Sequence, residues 1–465
     1  MLHLPRLVVS GLSGGSGKTI VSLGLSRLLA RSGLPVSPFK KGPDYIDAAW
    51  LALAAGTPCA NLDTFLMDEE TVRGLFAHRA TPDGVSVIEG NRGLFDGGDA
   101  RGTFSTAELA KLLRAPVVLV LDATKMTRTA AALLHGCATF DPKLRPAGVI
   151  CNQTAGERHR AVLREAIEAN TDVPVLGMLP KLSRNPIPER HMGLWSDQEM
   201  DGAAVLDPLA DIIAEHCDVS ALTRLARSAG GLAEPTRPLF PEAEPGEQVT
   251  IGVVRDAALW FYYPENIEAL ERAGARIEFL SVLTPDFWPE LDGLYLGGGF
   301  PETQAAAIAA RADVRERVRS LSASGLPIYA ECGGFMYLAR ALEYEGRRYP
   351  MAGALPAETR VCTRPKGLGY VEAEVLCETP YHPRGARLRA HEFHYSHCHA
   401  PIEEASLCLR LSRGTGMDQG RDGLFVGNTF AAYSHIHALG TPHWAPRFVA
   451  AARAHRRART GAAAG

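Results

Sequence analysis

Cys332 lies in the stretch Tyr329-Ala330-Glu331-Cys332-Gly333-Gly334-Phe335-Met336, where a short apolar run over 326–330 gives way to two glycines and then to a helical pattern. A nucleophile is mounted this way on a sharp strand-to-helix turn. The glycines permit the tight backbone, and free N–H groups at the start of the helix favour a thiolate and a developing oxyanion. A second chemical signal lies near the other end of the chain. Ser13-Gly14-Gly15-Ser16-Gly17-Lys18-Thr19 follows an apolar run and precedes a helical one, the setting of a phosphate-binding loop. Gly14, Gly15, Ser16 and Gly17 can turn backbone amides toward phosphate, Lys18 can reach the terminal phosphates, and the Thr19 hydroxyl can hold Mg²⁺. The first glycine of the G-x-x-x-x-G-K-[ST] pattern is displaced, with Leu12 in its place and Gly11 one residue earlier. A thiol hydrolase and an ATP site in one polypeptide suggest that one half makes what the other consumes.

Two acidic clusters follow the loop. Lys40-Lys41-Gly42-Pro43-Asp44-Tyr45-Ile46-Asp47 comes directly after one β-like run, and Glu89-Gly90-Asn91-Arg92-Gly93-Leu94-Phe95-Asp96-Gly97 directly after the next. In an open parallel sheet, ligands bind beyond the carboxyl ends of the strands, so both clusters are expected to face the phosphate loop. Ahead of Cys332, the run Leu294-Tyr295-Leu296 ends in Gly297-Gly298-Gly299, which offers backbone N–H groups for an oxyanion hole. After it comes Phe430-Ala431-Ala432-Tyr433-Ser434-His435-Ile436-His437. A histidine at a strand end can approach a cysteine distant in sequence and deprotonate it.

The elements that must position these groups alternate. Strand-like runs at 6–11, 36–39, 85–89, 117–122, 148–152 and 175–178 are separated by helical stretches, the rhythm of a doubly wound parallel sheet. Over 230–248, four prolines and three glycines with no apolar period read as a linker. A second α/β series begins at 249 and becomes richer in β-like runs toward its end. The expected organisation is an ATP-binding domain over 1–229, a linker over 230–248, a second domain over 249–455 and a disordered basic tail over 456–465.

A chain of 465 residues is too long for one core. Its net charge of −3 gives no electrostatic reason to propose nucleic acid as a ligand. Nine scattered cysteines without a Cys-x-x-Cys pair fit reduced thiols better than a disulfide frame or a zinc site. With no signal-peptide pattern at the start and no apolar run of membrane-spanning length, the expected location is the cytoplasm, away from membranes. The run His391, His394, His397, His399 invites a metal reading; alternation on a strand puts His394 on the opposite face and spoils a compact four-ligand site, three ligands stay open, and the family resemblance set out next favours a packing or interdomain role.

Together these segments resemble class I glutamine amidotransferase domains, and within them the branch that amidates corrinoid and related tetrapyrrole side chains. The residues from Val8 to Lys18, Phe39 to Asp47, Asn61-Leu62-Asp63, Glu89 to Gly93, Glu331 to Gly334, and His391-Glu392-Phe393-His394-Tyr395-Ser396 fit the cobyrinate a,c-diamide synthase family. The resemblance covers nearly the whole chain. It implies an α/β fold in two parts: an N-terminal P-loop, doubly wound parallel sheet of the dethiobiotin synthetase type, and a C-terminal class I glutamine amidotransferase domain. By the same resemblance Cys332 is the nucleophile that takes the γ-acyl group of glutamine, His435 is the general base, and Asp44, Tyr45, Asp47, Glu89 and Asp96 line the synthetase site. Thr19 and Glu89 are the expected Mg²⁺ contacts, with Asp44 or Asp47 assisting.

The implied partners are ATP, L-glutamine and a tetrapyrrole carboxylate, acted on by a monomer or homodimer. The implied reaction amidates the a and c acetate chains of cobyrinate through an acyl phosphate. Sirohaem or (nickel-)sirohydrochlorin are the alternative substrates, because Lys41 and Ala48 replace an apolar residue and a proline found in many cobyrinate enzymes. Most members of the wider superfamily place a glutamate two residues after the histidine; here that position is His437, so a Cys-His dyad or a third partner from elsewhere is expected. Two other readings compete. A partner-sensing ATPase switch calls for a lysine at Ser13, and a ligase using free ammonia leaves Cys332 without a purpose.

Overall fold

Seven mostly buried segments form the first sheet of the computed structural model, which describes residues 1–182, 189–190, 193–194, 202–284, 287–399 and 406–462. They are β1 (Arg6–Gly11), β2 (Val36–Lys41), β3 (Ala60–Leu62), β4 (Val85–Gly93), β5 (Val117–Asp122), β6 (Pro146–Thr154) and β7 (Val175–Pro180). All pairings are parallel, in the order β3-β2-β4-β1-β5-β6-β7. Parallel strands buried this completely need cover on both faces. The helices that supply it are α1 (Lys18–Arg31), α2 (Tyr45–Ala55), α3 (Glu69–Arg79), α4 (Thr106–Leu112), α5 (Arg128–Phe140) and α6 (Glu157–Asn170). After a short hairpin, β8 (Glu189–Arg190) and β9 (Gly193–Leu194), come α7 (Gly202–His216) and α8 (Val219–Arg227). Helix α7 approaches α1 so closely that a Cβ on Gly24 would lie 2.7 Å from the Leu209 carbonyl oxygen. The doubly wound arrangement expected from the alternating pattern is present, and several strands run past the apolar segments that announced them. Those extensions, Lys40–Lys41 and 90–93, carry polar residues to the carboxyl edge of the sheet.

The second unit is built on a ten-stranded mixed sheet. Its strands include β10 (Val249–Val254), β12 (Ala275–Leu280), β13 (Gly293–Leu296) and β15 (Ile328–Glu331), with β11 (Leu259–Phe261) and β14 (Gly298–Gly299) forming a separate pair. A four-stranded sheet contains β16 (Ala341–Tyr344), β17 (Arg347–Pro350), β18 (Glu358–Val361) and β21 (Ser396–Cys398). The remaining strands are β19 (Gly367–Val375), β20 (Arg387–His394), β22 (Leu407–Arg413), β23 (Arg421–Val426), β24 (Thr429–Ala432) and β25 (His435–Ile436). The large sheet runs β12-β10-β13-β15-β24-β23-β22-β19-β20-β25. It is parallel from β12 to β24 and antiparallel beyond. Helices α9 (Pro264–Arg272), α10 (Ala305–Ala310), α11 (Ala312–Ala323), α12 (Gly333–Leu338) and α13 (Trp444–Ala462) complete the unit. By contact density, residues 1–64 with 68–238 form one compact unit, and 65–67 with 239–465 the other.

Two expectations are overturned. The basic tail is not disordered over its described part, because α13 continues to Ala462. Its arginines are used: Arg456 donates to the Gln248 carbonyl at 2.7 Å, and Arg459 to the Leu291 carbonyl at 2.8 Å and to Asp292 at 3.1 Å. Residues 463–465 lie outside the described residues. The cysteines are not all free either, since Cys377 and Cys408 form a disulfide with their Cα atoms 5.4 Å apart. Strand pairing brings them together: Val375 opposes Leu409, and Leu376 N–H donates to the Cys408 carbonyl. No sequence spacing advertises such a cross-strand neighbour.

Candidate active sites

In the first unit the phosphate loop connects β1 to α1. Gly15 and Gly17 take the left-handed backbone, with φ of 77° and 94°, which a side chain would penalise. Gly11 matters for a different reason: a Cβ there would lie 2.0 Å from Ser16 Oγ, so the displaced glycine makes room for the loop to fold back on its strand. From the end of β6, Asn152 Nδ2 donates to the Ser16 carbonyl at 3.0 Å and fixes the loop from the side. Gly14 is open to solvent-side space, and Lys18 is buried at the first helical position.

Around Lys18 the structure gathers charge. Strand pairing sets Lys40 beside Glu89; Lys40 Nζ lies 2.9 Å from Glu89 Oε1 and also binds Asp47. Burial by itself would lower the Lys40 ammonium, but Asp47 and Glu89 outweigh it and hold it well above the usual range. Lys18 is shifted down, by burial first and then by Lys40. Glu89 is fully buried and pushed up by that burial, against the pull of Lys40. Thr19 Oγ1 donates to Glu89 Oε1 at 2.7 Å. The other oxygen, Glu89 Oε2, is buried with no hydrogen-bond partner among the described residues. A buried, unused carboxylate oxygen beside a hydroxyl is the donor set that a hard cation such as Mg²⁺ takes, with phosphate oxygens completing the shell.

The other expected residues occupy different stations. Asp44 caps α2, accepting from the Ile46 and Asp47 N–H groups at 2.9 and 3.0 Å; burial and then the Asp47 charge push it up to about 7. Tyr45 opens α2 and is buried. Asp96 is exposed and accepts from the Gly93 N–H at 2.9 Å, closing its own turn. Lys41 and Ala48 are both buried, Lys41 beside the charge of Asp63. Lys40 escaped the sequence reading because its role comes from a neighbour on another strand; its lysine-rich cluster was the one signal available.

In the second unit β15 delivers Cys332 to a strained turn, with φ 46° and ψ −99° for a non-glycine residue. That conformation has the backbone form of a nucleophile elbow, which lifts a side chain off the end of a sheet. Its neighbours must be glycine. A Cβ on Gly333 would lie 2.8 Å from Gly299 N, and one on Gly334 would lie 2.4 Å from the Leu296 carbonyl oxygen. Cys332 N–H donates to the Ala432 carbonyl at 2.7 Å, and Gly334 N–H to the Gly297 carbonyl at 3.0 Å, pinning the elbow between β24 and the end of β13. Gly298 closes the triangle: a Cβ there would lie 2.4 Å from His435 Cε1. Cys332, Gly298, Gly299 and His435, named from three separate segments, thus converge on one place. Burial, followed by the charge of Glu302, raises the Cys332 thiol.

His435 sits on β25, in register with His391 of β20, and their rings stack 4.8 Å apart at 18°. Asp422 accepts from the N–H groups of Tyr433 and Ser434 at 3.0 Å each and steadies the approach to His435. Asn266 accepts from the Ala438 N–H at 2.7 Å and donates to the Ile436 carbonyl at 3.1 Å beyond it. Glu331, the residue before Cys332, is fully buried. Its carboxylate accepts from Tyr295 Oη and Ile436 N, each at 3.0 Å, and lies 3.8 Å from His435 Nδ1. His437, at the position where a glutamate is usual, faces Glu265 at 3.6 Å and packs on Tyr263. The other histidines of that run have separate neighbours: His394 stacks on Tyr433 at 3.8 Å and lies 3.2 Å from Glu392, His397 lies 3.3 Å from the Cys362 sulfur, and His399 lies 3.4 Å from Glu343. Among the described residues no cluster of His, Cys, Asp or Glu is arranged to hold a metal by itself.

A nucleotide-binding loop on a parallel sheet, with a separate cysteine elbow opposed by histidine, defines a glutamine-dependent ligase that forms amide bonds. Residues 7–194 match the family described as the CobQ/CobB/MinD/ParA nucleotide binding domain. Residues 250–443 match the CobB/CobQ-like glutamine amidotransferase domain. Over 96% of its length the chain is 41% identical to the cobyrinate a,c-diamide synthase of Magnetococcus marinus, 96% of which is covered. It is 41% identical to that of Syntrophotalea carbinolica (96% and 98% covered) and 40% identical to that of Listeria innocua (94% and 97% covered). The chain belongs to the cobyrinate a,c-diamide synthase family. None of its described helices is long and apolar enough to cross a membrane.

Proposed function

We propose that this protein converts the a and c acetate carboxylates of cobyrinate to carboxamides, using ATP to activate each acid and glutamine to supply nitrogen. The observation that carries the glutaminase half is the convergence of the Cys332 elbow, Gly298–Gly299 and His435. The thiol proton passes to His435, and the sulfur attacks the glutamine carboxamide carbon. The developing oxyanion is met by the backbone N–H groups of Gly298 and Gly299. Returned to the nitrogen, the proton lets ammonia leave, and water then cleaves the thioester to glutamate. Glu331, through its place beside Nδ1, orients the ring so that Nε2 serves the sulfur and supports the imidazolium once formed. It takes the part that a glutamate two residues after the histidine usually plays.

In the first unit, ATP is held by Gly14, Gly15, Ser16 and Gly17, with Lys18 neutralising phosphate charge. A carboxylate oxygen of the corrinoid attacks the γ-phosphorus, releasing ADP and leaving an acyl phosphate. Ammonia then displaces phosphate from that carbon. A bare carboxylate is a poor electrophile, and oxide a poor leaving group; phosphorylation removes both obstacles. Ammonia must travel shielded from water, since ammonium has no free electron pair. Mg²⁺ would be held by Thr19 and Glu89, with Asp47 nearby, and would supply charge neutralisation at the β- and γ-phosphates. Lys40 is placed to serve the same site by keeping Asp47 and Glu89 fixed.

Cobyrinate is favoured as substrate because relatives over nearly the full length act on it by name. The test incubates the protein with ATP, MgCl₂ and glutamine plus cobyrinate, sirohydrochlorin or sirohaem, and follows replacement of OH by NH₂ with mass spectrometry. Two replacements on cobyrinate, lost in C332S but restored by ammonium chloride, are the expected outcome. Amidation of another tetrapyrrole alone refutes the substrate, and glutamine-driven turnover in C332S refutes the mechanism.

A further inference from the structure

Glu302 lies in a one-turn 3-10 helix, Pro301–Gln304, immediately beyond Gly298–Gly299. That turn packs against α12, the helix that follows Cys332. The Glu302 side chain is 6% exposed, and its Oε2 has no hydrogen-bond partner among the described residues. Burial pushes the carboxyl up to about 7, opposed by its own backbone N–H. After burial itself, the Glu302 charge is the largest influence raising the Cys332 thiol. A lone anion there opposes formation of the thiolate that the reaction needs, so packing alone gives no reason for it. Buried polar groups left without partners in the free protein call for an explanation, and a ligand is one.

The other acids that act on the thiol are already engaged. Glu331 holds Tyr295 and Ile436, and Asp422 holds Tyr433 and Ser434. Glu302 is left with an oxygen to offer. Glutamine brings its complement, since the amide donor also carries an α-ammonium group that must be desolvated as it enters. We infer that the Glu302 carboxylate seats the α-ammonium group of the glutamine donor and so selects an α-amino acid over a simple carboxamide, an inference that rests on the glutaminase function proposed above. Docking pairs two charges that are each costly to bury alone. It also cancels the repulsion on the sulfur only when the correct donor is present. Substrate recognition and release of the thiol proton to His435 thereby become linked.

The test compares glutamine with glutaramate, the same molecule without the amino group, as substrates of the full-length protein and of E302Q. The wild type is expected to favour glutamine by at least about 100-fold in kcat/KM, as a site that hydrogen-bonds a substrate group rejects the analogue lacking it. In E302Q the preference collapses, through a raised KM for glutamine and with glutaramate cleavage unchanged or faster. Iodoacetamide should alkylate Cys332 faster in E302Q at neutral pH, because the opposing charge is gone. Equal cleavage of both amides by the wild type overturns the inference without any variant, as does an equal loss on both amides in E302Q. Full glutamine hydrolysis by C332S would instead bring down the glutaminase reading on which the inference stands.

Discussion

Replacing Glu331 with glutamine tests the orienting role assigned to it while keeping its size. At 3.8 Å between His435 Nδ1 and the carboxylate, and with an effective dielectric near 20, the attraction to an imidazolium is about 4 kcal/mol. Lost at the step where His435 carries the thiol proton, that amounts to roughly a thousandfold in kcat. E331Q retains an oxygen to accept from Ile436 N–H, so the backbone beside His435 keeps its support. Y295F serves as the control: it removes one hydrogen bond to the carboxylate and leaves the charge, for an expected loss of about tenfold, given roughly 1.5 kcal/mol for a bond to a charged group. The assay measures glutamate release as a function of pH, alongside amidation driven by ammonium chloride. The expected pattern is a large kcat loss with glutamine, little change in KM, and ammonium-driven amidation at the wild-type rate. If E331Q keeps its kcat and pH profile, Glu331 has no part in orienting His435. If the ammonium-driven reaction falls equally, the residue acts only through the fold.

Other perturbations bear on separate parts of the structure. G298A places a methyl 2.4 Å from His435 Cε1, and steady-state kinetics should show glutaminase turnover down by about 100-fold, the cost of a displacement near 1 Å at a reacting group. K40M leaves Glu89 buried without its cation and should destabilise the first unit by about 3–5 kcal/mol in urea unfolding, with K40M/E89Q recovering part of the loss. Stability should also depend on Glu302. Its carboxyl is at about 7 in the folded protein against an ordinary 4.5, so the folded state is favoured while it is protonated and loses up to about 3 kcal/mol as pH rises from near 4.5 through 7. E302Q does not titrate, so its melting temperature should gain on the wild type between pH 5 and pH 8; parallel curves would contradict the burial of a titrating carboxyl there.

The sequence by itself determined what local backbone geometry encodes. Glycines at fixed offsets from Lys18 and Cys332 specify a loop and an elbow because only certain φ values and close approaches are possible there, and β-branched runs between helical periods specify a wound sheet. The strand ends were legible only in part: the apolar signal stops where β2 and β4 become polar, and those polar ends carry Lys40 and the residues after Glu89. What only the tertiary structure decided depends on which strand lies beside which. Lys40 meets Glu89 because β2 pairs with β4, and Cys377 meets Cys408 because β19 pairs with β22. Glu331 lies 3.8 Å from His435 although 104 residues of chain separate them, and Glu302 acquires its importance from burial in a turn packed against the helix that follows Cys332. Sequence points to a disordered basic tail because its acceptors, the carbonyls of Gln248 and Leu291 and the Asp292 carboxylate, lie far away in the chain. Short-range sterics are written in neighbouring residues, whereas charge pairing and burial depend on distances that exist only after the chain has folded.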